Sequence, residues 1–163
     1  EIVDDAQEKF RPGDEITRAE FITMVVRHYD LEGTEAPLGS TIFSDVTEDS
    51  WYDGNIGIAY TNGLIKGDAA GDTVRPDDPI SRAEALQILV NYSGVLYNVK
   101  TEEVPFEDVS DDMWFSAAVE KGYAKGIVTG VDATHFEPER SLTRAEAAVL
   151  INRVRSQELT IGF

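Results

Sequence analysis

The chain is built on an internal repeat of 62 to 64 residues, and such a period leaves few architectures open, because a unit of that size buries its apolar faces mainly against its own copies. Phe43-Ser44-Asp45-Val46 returns as Phe106-Glu107-Asp108-Val109, and Trp51 returns as Trp114, both 63 residues on. Gly63-Leu64-Ile65-Lys66-Gly67 becomes Gly126-Ile127-Val128-Thr129-Gly130 at the same offset. Val74-Arg75-Pro76 with Ile80-Ser81-Arg82-Ala83-Glu84 then becomes Phe136-Glu137-Pro138 with Leu142-Thr143-Arg144-Ala145-Glu146, at an offset of 62. A third copy of this block, Phe10-Arg11-Pro12 with Ile16-Thr17-Arg18-Ala19-Glu20, stands 64 residues before the middle one. Ile2 aligns with Ile65 and Val128, so the chain opens inside a first repeat whose Trp-led front half is not among the 163 residues. The organisation read is residues 1–32 as the C-terminal half of repeat 1, 43–96 as repeat 2 and 106–157 as repeat 3, packed as one cooperative domain.

Each Ser/Thr-Arg-Ala-Glu block is a capping box. The hydroxyl of Thr17, Ser81 or Thr143 accepts from the backbone N–H three residues on, and Glu20, Glu84 or Glu146 reaches back to the cap. Ile16, Ile80 and Leu142 stand at the staple position, with Phe21 as a large partner only in the first copy. Apolar residues follow at helical spacing: Phe21, Ile22, Val25 and Val26; Leu86, Leu89 and Val90; Val149, Leu150, Ile151 and Val154. The front half of a repeat reads as a second helix from near Trp51 or Trp114 to a glycine stop at Gly63 or Gly126, followed by a short extended piece around Ile65 or Val128. The fold class is therefore all-α, a tandem array of helix-loop-helix units whose apolar faces are buried against other repeats.

Charge and cysteine content narrow the chemistry. Lys plus Arg is 14 against 31 Asp plus Glu, a net charge of −17, which repels nucleic-acid phosphates and anionic lipid surfaces at long range. Cysteine is absent, so disulfides, thiolate metal sites and cysteine nucleophiles are excluded. No window approaches 18 uninterrupted apolar residues, and Glu1 to Phe10 hold neither a basic nor an apolar leader region. The acid-rich stretch Asp68 to Asp78 lacks the ligand order of an EF-hand. His28 and His135 stand at unmatched positions, as surface or helix-end residues. Glycoside hydrolysis needs one asymmetric pair of carboxylates, whereas these acids recur in equivalent places, so the chain is read as non-catalytic, with no cofactor and no dedicated metal site.

In their order and spacing, Phe-x-Asp-Val, Trp, Gly-x-Ile-x-Gly, Phe-x-Pro and Ile-Thr-Arg-Ala-Glu make the chain resemble the S-layer homology modules of bacterial surface proteins, from Ile2 to about Arg155. The resemblance implies three modules assembled into a pseudo-threefold helical domain, with the first repeat here incomplete. It implies a non-catalytic anchor at the bacterial cell wall or S-layer. The partner it implies is secondary cell-wall polysaccharide, often carrying a pyruvylated amino sugar, held in grooves between repeats; no nucleic acid and no membrane insertion are expected. A protein–protein or self-assembly module of a surface array is the alternative. The departures are Asp4 where other copies have Gly67 and Gly130, Ser81 for Thr, and Val74 for Phe. One groove is expected to be incomplete unless another segment or chain supplies the Trp-led half.

Arg18, Arg82 and Arg144 sit at N1 of their helices, where a positive charge gains nothing from the helix dipole. They either pair two-pronged with an anionic sugar substituent such as a pyruvate ketal or bridge to a neighbouring repeat. Trp51 and Trp114 either pack in the core or offer a ring face to a sugar, and both roles are compatible. Asp45 and Asp108 accept from sugar hydroxyls or hold the following turn. Gly67 and Gly130 admit a ligand close to the backbone or serve a turn.

Overall fold

The structure, a computed structural model, describes residues 9–68, 70–97, 99 and 103–161; Ile2 and Asp4 lie outside the described residues. Six α-helices are found among them: α1 (Arg18–His28), α2 (Asp53–Thr61), α3 (Arg82–Tyr92), α4 (Gly94–Tyr97), α5 (Ser116–Ala124) and α6 (Arg144–Ile161). Single 3-10 turns lie at Leu31–Gly33 and Gly39–Thr41. Extended pairing among the described residues includes isolated antiparallel bridges, Glu15 with Thr143, Thr17 with Pro79 and Ser81 with Ser141. The all-α expectation holds, although the pieces around Ile65 and Val128 form no strand.

The chain divides into two compact units, Glu1–Ile80 with Thr143–Ala145, and Ser81–Leu142 with Glu146–Phe163. They are offset from the sequence repeats by half a period. Each joins the motif helix of one repeat to the Trp-led helix of the next.

In the first unit α1 starts where its capping box dictates. The Thr17 hydroxyl accepts from the Glu20 N–H, and a Glu20 carboxylate oxygen accepts from the Thr17 N–H at 2.9 Å. Ile16 and Phe21 are buried beside this turn, as a staple requires. Phe21, Ile22, Val25 and Val26 are buried, with α1 packed on α2, and Asn55 donates to the Thr23 hydroxyl at 3.3 Å. The connection 37–41 crosses α2 so closely that a Cβ on Gly57 would run into the Pro37 carbonyl oxygen. Buried Asp53 fastens that connection, accepting from the Ser40 amide at 2.8 Å and its hydroxyl at 3.0 Å.

The second unit repeats the scheme with other residues. The Ser81–Glu84 capping box opens α3, which packs on α5 at Gly122, where a Cβ would stand 3.1 Å from Leu86. Ala147 and Val154 of α6 are buried, and Arg153 donates to the Ile127 carbonyl at 3.1 Å. Val149 departs from the expectation: it is 49% exposed. It takes the register of Thr23 in α1, a position that α2 covers there.

The Trp-led helices begin two residues later than read, at Asp53 and Ser116, because Trp51 and Trp114 occupy turns before the first helical hydrogen bonds. Their glycine stops are as expected. Gly63 (φ +75°) and Gly126 (φ +65°) are left-handed. Leu64 N–H donates to the Ala59 carbonyl and Ile127 N–H to that of Gly122, at 2.9 and 2.8 Å. With Gly63 and Gly126 donating to Tyr60 and Tyr123, each end is a Schellman motif.

Candidate functional site

All three motif arginines make the same first contact. The Nε of Arg18 donates to the Val74 carbonyl at 2.7 Å, that of Arg82 to Phe136 at 2.9 Å, and that of Arg144 to Phe10 at 2.8 Å. Each receiving residue precedes a non-glycine residue in the left-handed region: Arg75 (φ 49°), Glu137 (φ 57°) and Arg11 (φ 48°). That conformation is uncommon outside glycine, asparagine and aspartate, so something must hold it. Asp45 does so in the first unit, accepting from the Val74 amide at 3.0 Å and the Arg75 amide at 2.7 Å. Asp108 does so in the second, from Phe136 at 2.8 Å and Glu137 at 2.7 Å. One peptide segment is thus clasped on its N–H side by an aspartate and on its carbonyl side by an arginine of the preceding repeat.

The clasp brings Arg18 together with Asp45, and Arg82 with Asp108, through a shared backbone rather than through direct pairing. Gly67 and Gly130 have local explanations. Gly67 is left-handed (φ +83°), and a Cβ there would stand 2.9 Å from Phe43 and 3.1 Å from the Gly71 carbonyl. At Gly130 it would stand 2.7 Å from Phe106 and 2.7 Å from the His135 carbonyl.

The tryptophans are not core residues. Trp51 is 61% and Trp114 60% exposed. Each rests edge-on against its neighbour, Tyr52 and Phe115 respectively, with ring centroids 5.2 Å apart. The two indoles are thus left to solvent at equivalent places in the repeat. Among the described residues no hydrogen bond or ring contact joins either tryptophan to a motif arginine.

Beyond the shared bond the arginines differ. Arg18 and Arg144 are buried, 6% and 3% exposed, while Arg82 is half-buried. Arg144 Nη1 pairs with Glu20 at 2.5 Å and its guanidinium lies 5.6 Å from the Phe10 ring centroid. Arg82 lies over the Phe136 ring at 4.5 Å and donates from Nη2 to the Thr129 carbonyl at 3.0 Å. Burial, and after it the neighbouring Arg140 guanidinium, pull Arg82 below the usual arginine range. Arg140 itself holds Glu146 at 2.6 Å and Glu137 at 3.2 Å. Sequence reading passed over Arg140. Its signal was the repeat register, in which Asp14 and Asp78 occupy the corresponding positions.

His28 ends α1, and His135 is exposed beside Asp132 at 3.2 Å. Among the described residues no group of three or more acids and histidines is arranged to hold a metal ion, and no helix is long and apolar enough to cross a membrane.

The profile of the S-layer homology domain matches residues 42–86 and 105–148. The chain is 34% identical over 147 residues to the exoglucanase XynX of Acetivibrio thermocellus, covering 88% of this chain and 13% of that protein. It is 30% identical over 149 residues to an S-layer protein of Bacillus thuringiensis subsp. finitimus, 91% of this chain and 18% of the relative. A cellulosome-anchoring protein of Acetivibrio thermocellus is 30% identical over 151 residues, 88% of this chain and 33% of the relative. The chain therefore spans a third or less of each of these relatives. Two profile matches in tandem, on units that share one clasp and one exposed tryptophan each, make this chain a member of the S-layer homology domain family, whose modules work at the bacterial cell surface.

Proposed function

We propose that the chain is a non-catalytic anchoring module that holds a larger protein to the bacterial wall by binding an anionic secondary wall polysaccharide, with the carboxylate of a pyruvylated amino sugar as the group recognised. The observation that carries this reading is the pair of exposed tryptophans at equivalent places in the two units. An indole offers a flat apolar face to the C–H surface of a pyranose and an N–H to its hydroxyls. Arg82, planar and half-exposed, supplies the charge complement to a carboxylate. The net charge of −17 does not oppose this at contact range, because fields are screened over about 8 Å at physiological salt.

The relatives favour a non-catalytic role. Proteins named for an exoglucanase, for an S-layer and for cellulosome anchoring share this stretch, and no one activity is common to those names. Two binding surfaces on one chain raise retention through effective concentration.

Co-sedimentation with purified Gram-positive walls, beside walls stripped of secondary polysaccharide by acid, tests the reading. Retention on intact walls only, lost when Trp51→Ala and Trp114→Ala are combined, is the expected outcome. Failure to bind either preparation gives the function to the alternative, a protein-interaction module of a surface array.

A further inference from the structure

Within the second unit the carboxylates around Arg82 are all engaged elsewhere. Asp108 accepts from the Phe136 and Glu137 amides. Glu137 lies 3.2 Å from the Arg140 Nε. Glu146 takes both Nη groups of Arg140, at 2.6 and 3.2 Å. Arg82 spends Nε and Nη2 on backbone carbonyls, and among the described residues its Nη1 donates to nothing and no carboxylate pairs with its guanidinium.

The first repeat shows what happens without an arginine in that register. Asp14 stands where Arg140 stands in the third repeat. There Glu20, the capping-box glutamate that corresponds to Glu146, is left to pair with Arg144: one of its oxygens receives the Thr17 amide and the other receives Arg144 Nη1. Arg144 is neutralised and buried, whereas Arg82, which feels the charge of the matching glutamate without an ion pair to it, is neither.

We propose that Arg140 is a positioning residue of the glycan site: by holding the Glu146 carboxylate it leaves the outer edge of the Arg82 guanidinium open to a carboxylate of the ligand, and so makes the second unit the anion-recognising half of this chain. The ligand class is a carboxylated wall glycan, and the inference rests on the glycan reading above. Arg140 need not touch the ligand. Its work is to keep an internal carboxylate from occupying the ligand's place.

The test is calorimetry of secondary wall polysaccharide, and of the same polysaccharide with its carboxyl groups reduced, on four full-length chains: wild type, Arg140→Ala, Arg140→Lys, and Arg140→Ala combined with Glu146→Gln. Arg140→Ala releases Glu146 onto Arg82 and lowers affinity for the carboxylated glycan about tenfold, the worth of one charge-assisted bond. Arg140→Lys keeps most of the affinity. Glu146→Gln restores it to the Arg140→Ala chain, since a glutamine preserves the cap but does not quench an arginine. A purely structural role for Arg140 would not be rescued by the second substitution. Unchanged affinity in Arg140→Ala, or no rescue by Glu146→Gln, overturns the role of Arg140 while leaving the glycan reading in place. A wild-type chain that binds the reduced and carboxylated glycans equally overturns the carboxylate site, and one that binds neither overturns the glycan reading itself.

Discussion

The two units solve one packing problem with different residues, and their differences separate scaffold from recognition. Both carry the capping box, the Schellman stop, the aspartate–arginine clasp on a left-handed residue and an exposed tryptophan. They differ in how the Trp-led helix is held and in what surrounds the motif arginine. The first unit wraps residues 37–41 over α2 at Gly57, with Asp53 as the fastener. In the second the register of Gly57 holds Glu120 and that of Asp53 holds Ser116. Around the arginine, Asp78 in the first unit gives way to Arg140 in the second. Of what both units share, the cap, the stop and the clasp serve folding; of what only one has, the wrap over α2 is packing, and the exchange of Asp78 for Arg140 is a change of surface charge.

The largest break in this comparison is expected at Gly57. Gly57→Ala sets a methyl against the Pro37 carbonyl oxygen, and because that neighbour is backbone it cannot turn aside. A loss of about 3 kcal/mol is expected, at the upper end for overpacking. Glu120→Ala, at the equivalent place in the second unit, should change stability by about 0.5 kcal/mol or less. Urea unfolding of the two variants measures both. Equal costs would mean that the wrap over α2 contributes nothing to the first unit.

A smaller effect sharpens the comparison at the clasp. Asp45→Ala leaves the Val74 and Arg75 amides without their acceptor in partly buried surroundings. It should cost about 2 kcal/mol, the range for hydrogen bonds to a charged group. Asp108→Ala should cost about 1 kcal/mol, because the Glu137 amide that it serves is exposed and water replaces the carboxylate there. The ranking is read from the same unfolding curves, and a reversed order would show that the left-handed residue and not solvent access sets the cost.

Much of this architecture was legible because it is local. A cap residue with glutamate three places on, an apolar stripe and a glycine stop are short-range instructions, and α1, α3 and the ends of α2 and α5 follow them closely. The clasp was legible only in part. Asp45 and Asp108 were read as accepting from sugar hydroxyls or holding the turn that follows them, whereas the segment they hold lies 29 residues downstream in the first unit, and no local pattern names it. The exposure of the tryptophans was not legible, since an indole two residues ahead of a helix is equally suited to core or surface until the turn before that helix is placed. Arg140 was hidden for another reason: its effect is a competition for Glu146, a property of three side chains at once.

The smallest expected effect concerns the loops after Gly67 and Gly130. In the first unit the Thr73 hydroxyl donates to Asp68 at 3.3 Å, and Arg75 Nε, a permanent cation, holds the same carboxylate at 2.8 Å. In the second, His135 stands where Thr73 stands, and its ring lies 3.2 Å from Asp132. The hydrogen bond to Asp132, and then the charge of that carboxylate, raise His135 above its ordinary value, while the Thr134 amide and the His135 contacts hold Asp132 below the usual carboxylate range. A histidine raised on folding contributes stability that is full below its unfolded pKa and is lost as pH rises through the folded one. The aspartate's contribution is instead lost as pH falls through its own depressed value. Only the second loop should therefore loosen as a slightly acidic solution is made alkaline, and both groups are exposed, so the change stays local. Proton NMR of the His135 ring reads it: the titration midpoint should lie above that of a free histidine and return to it in Asp132→Ala. The amide resonances of residues 70–73 should stay still across the same range, because a threonine hydroxyl and an arginine do not titrate there. Movement of both loops together would mean that the histidine is reporting a change of the whole molecule and not of its own turn.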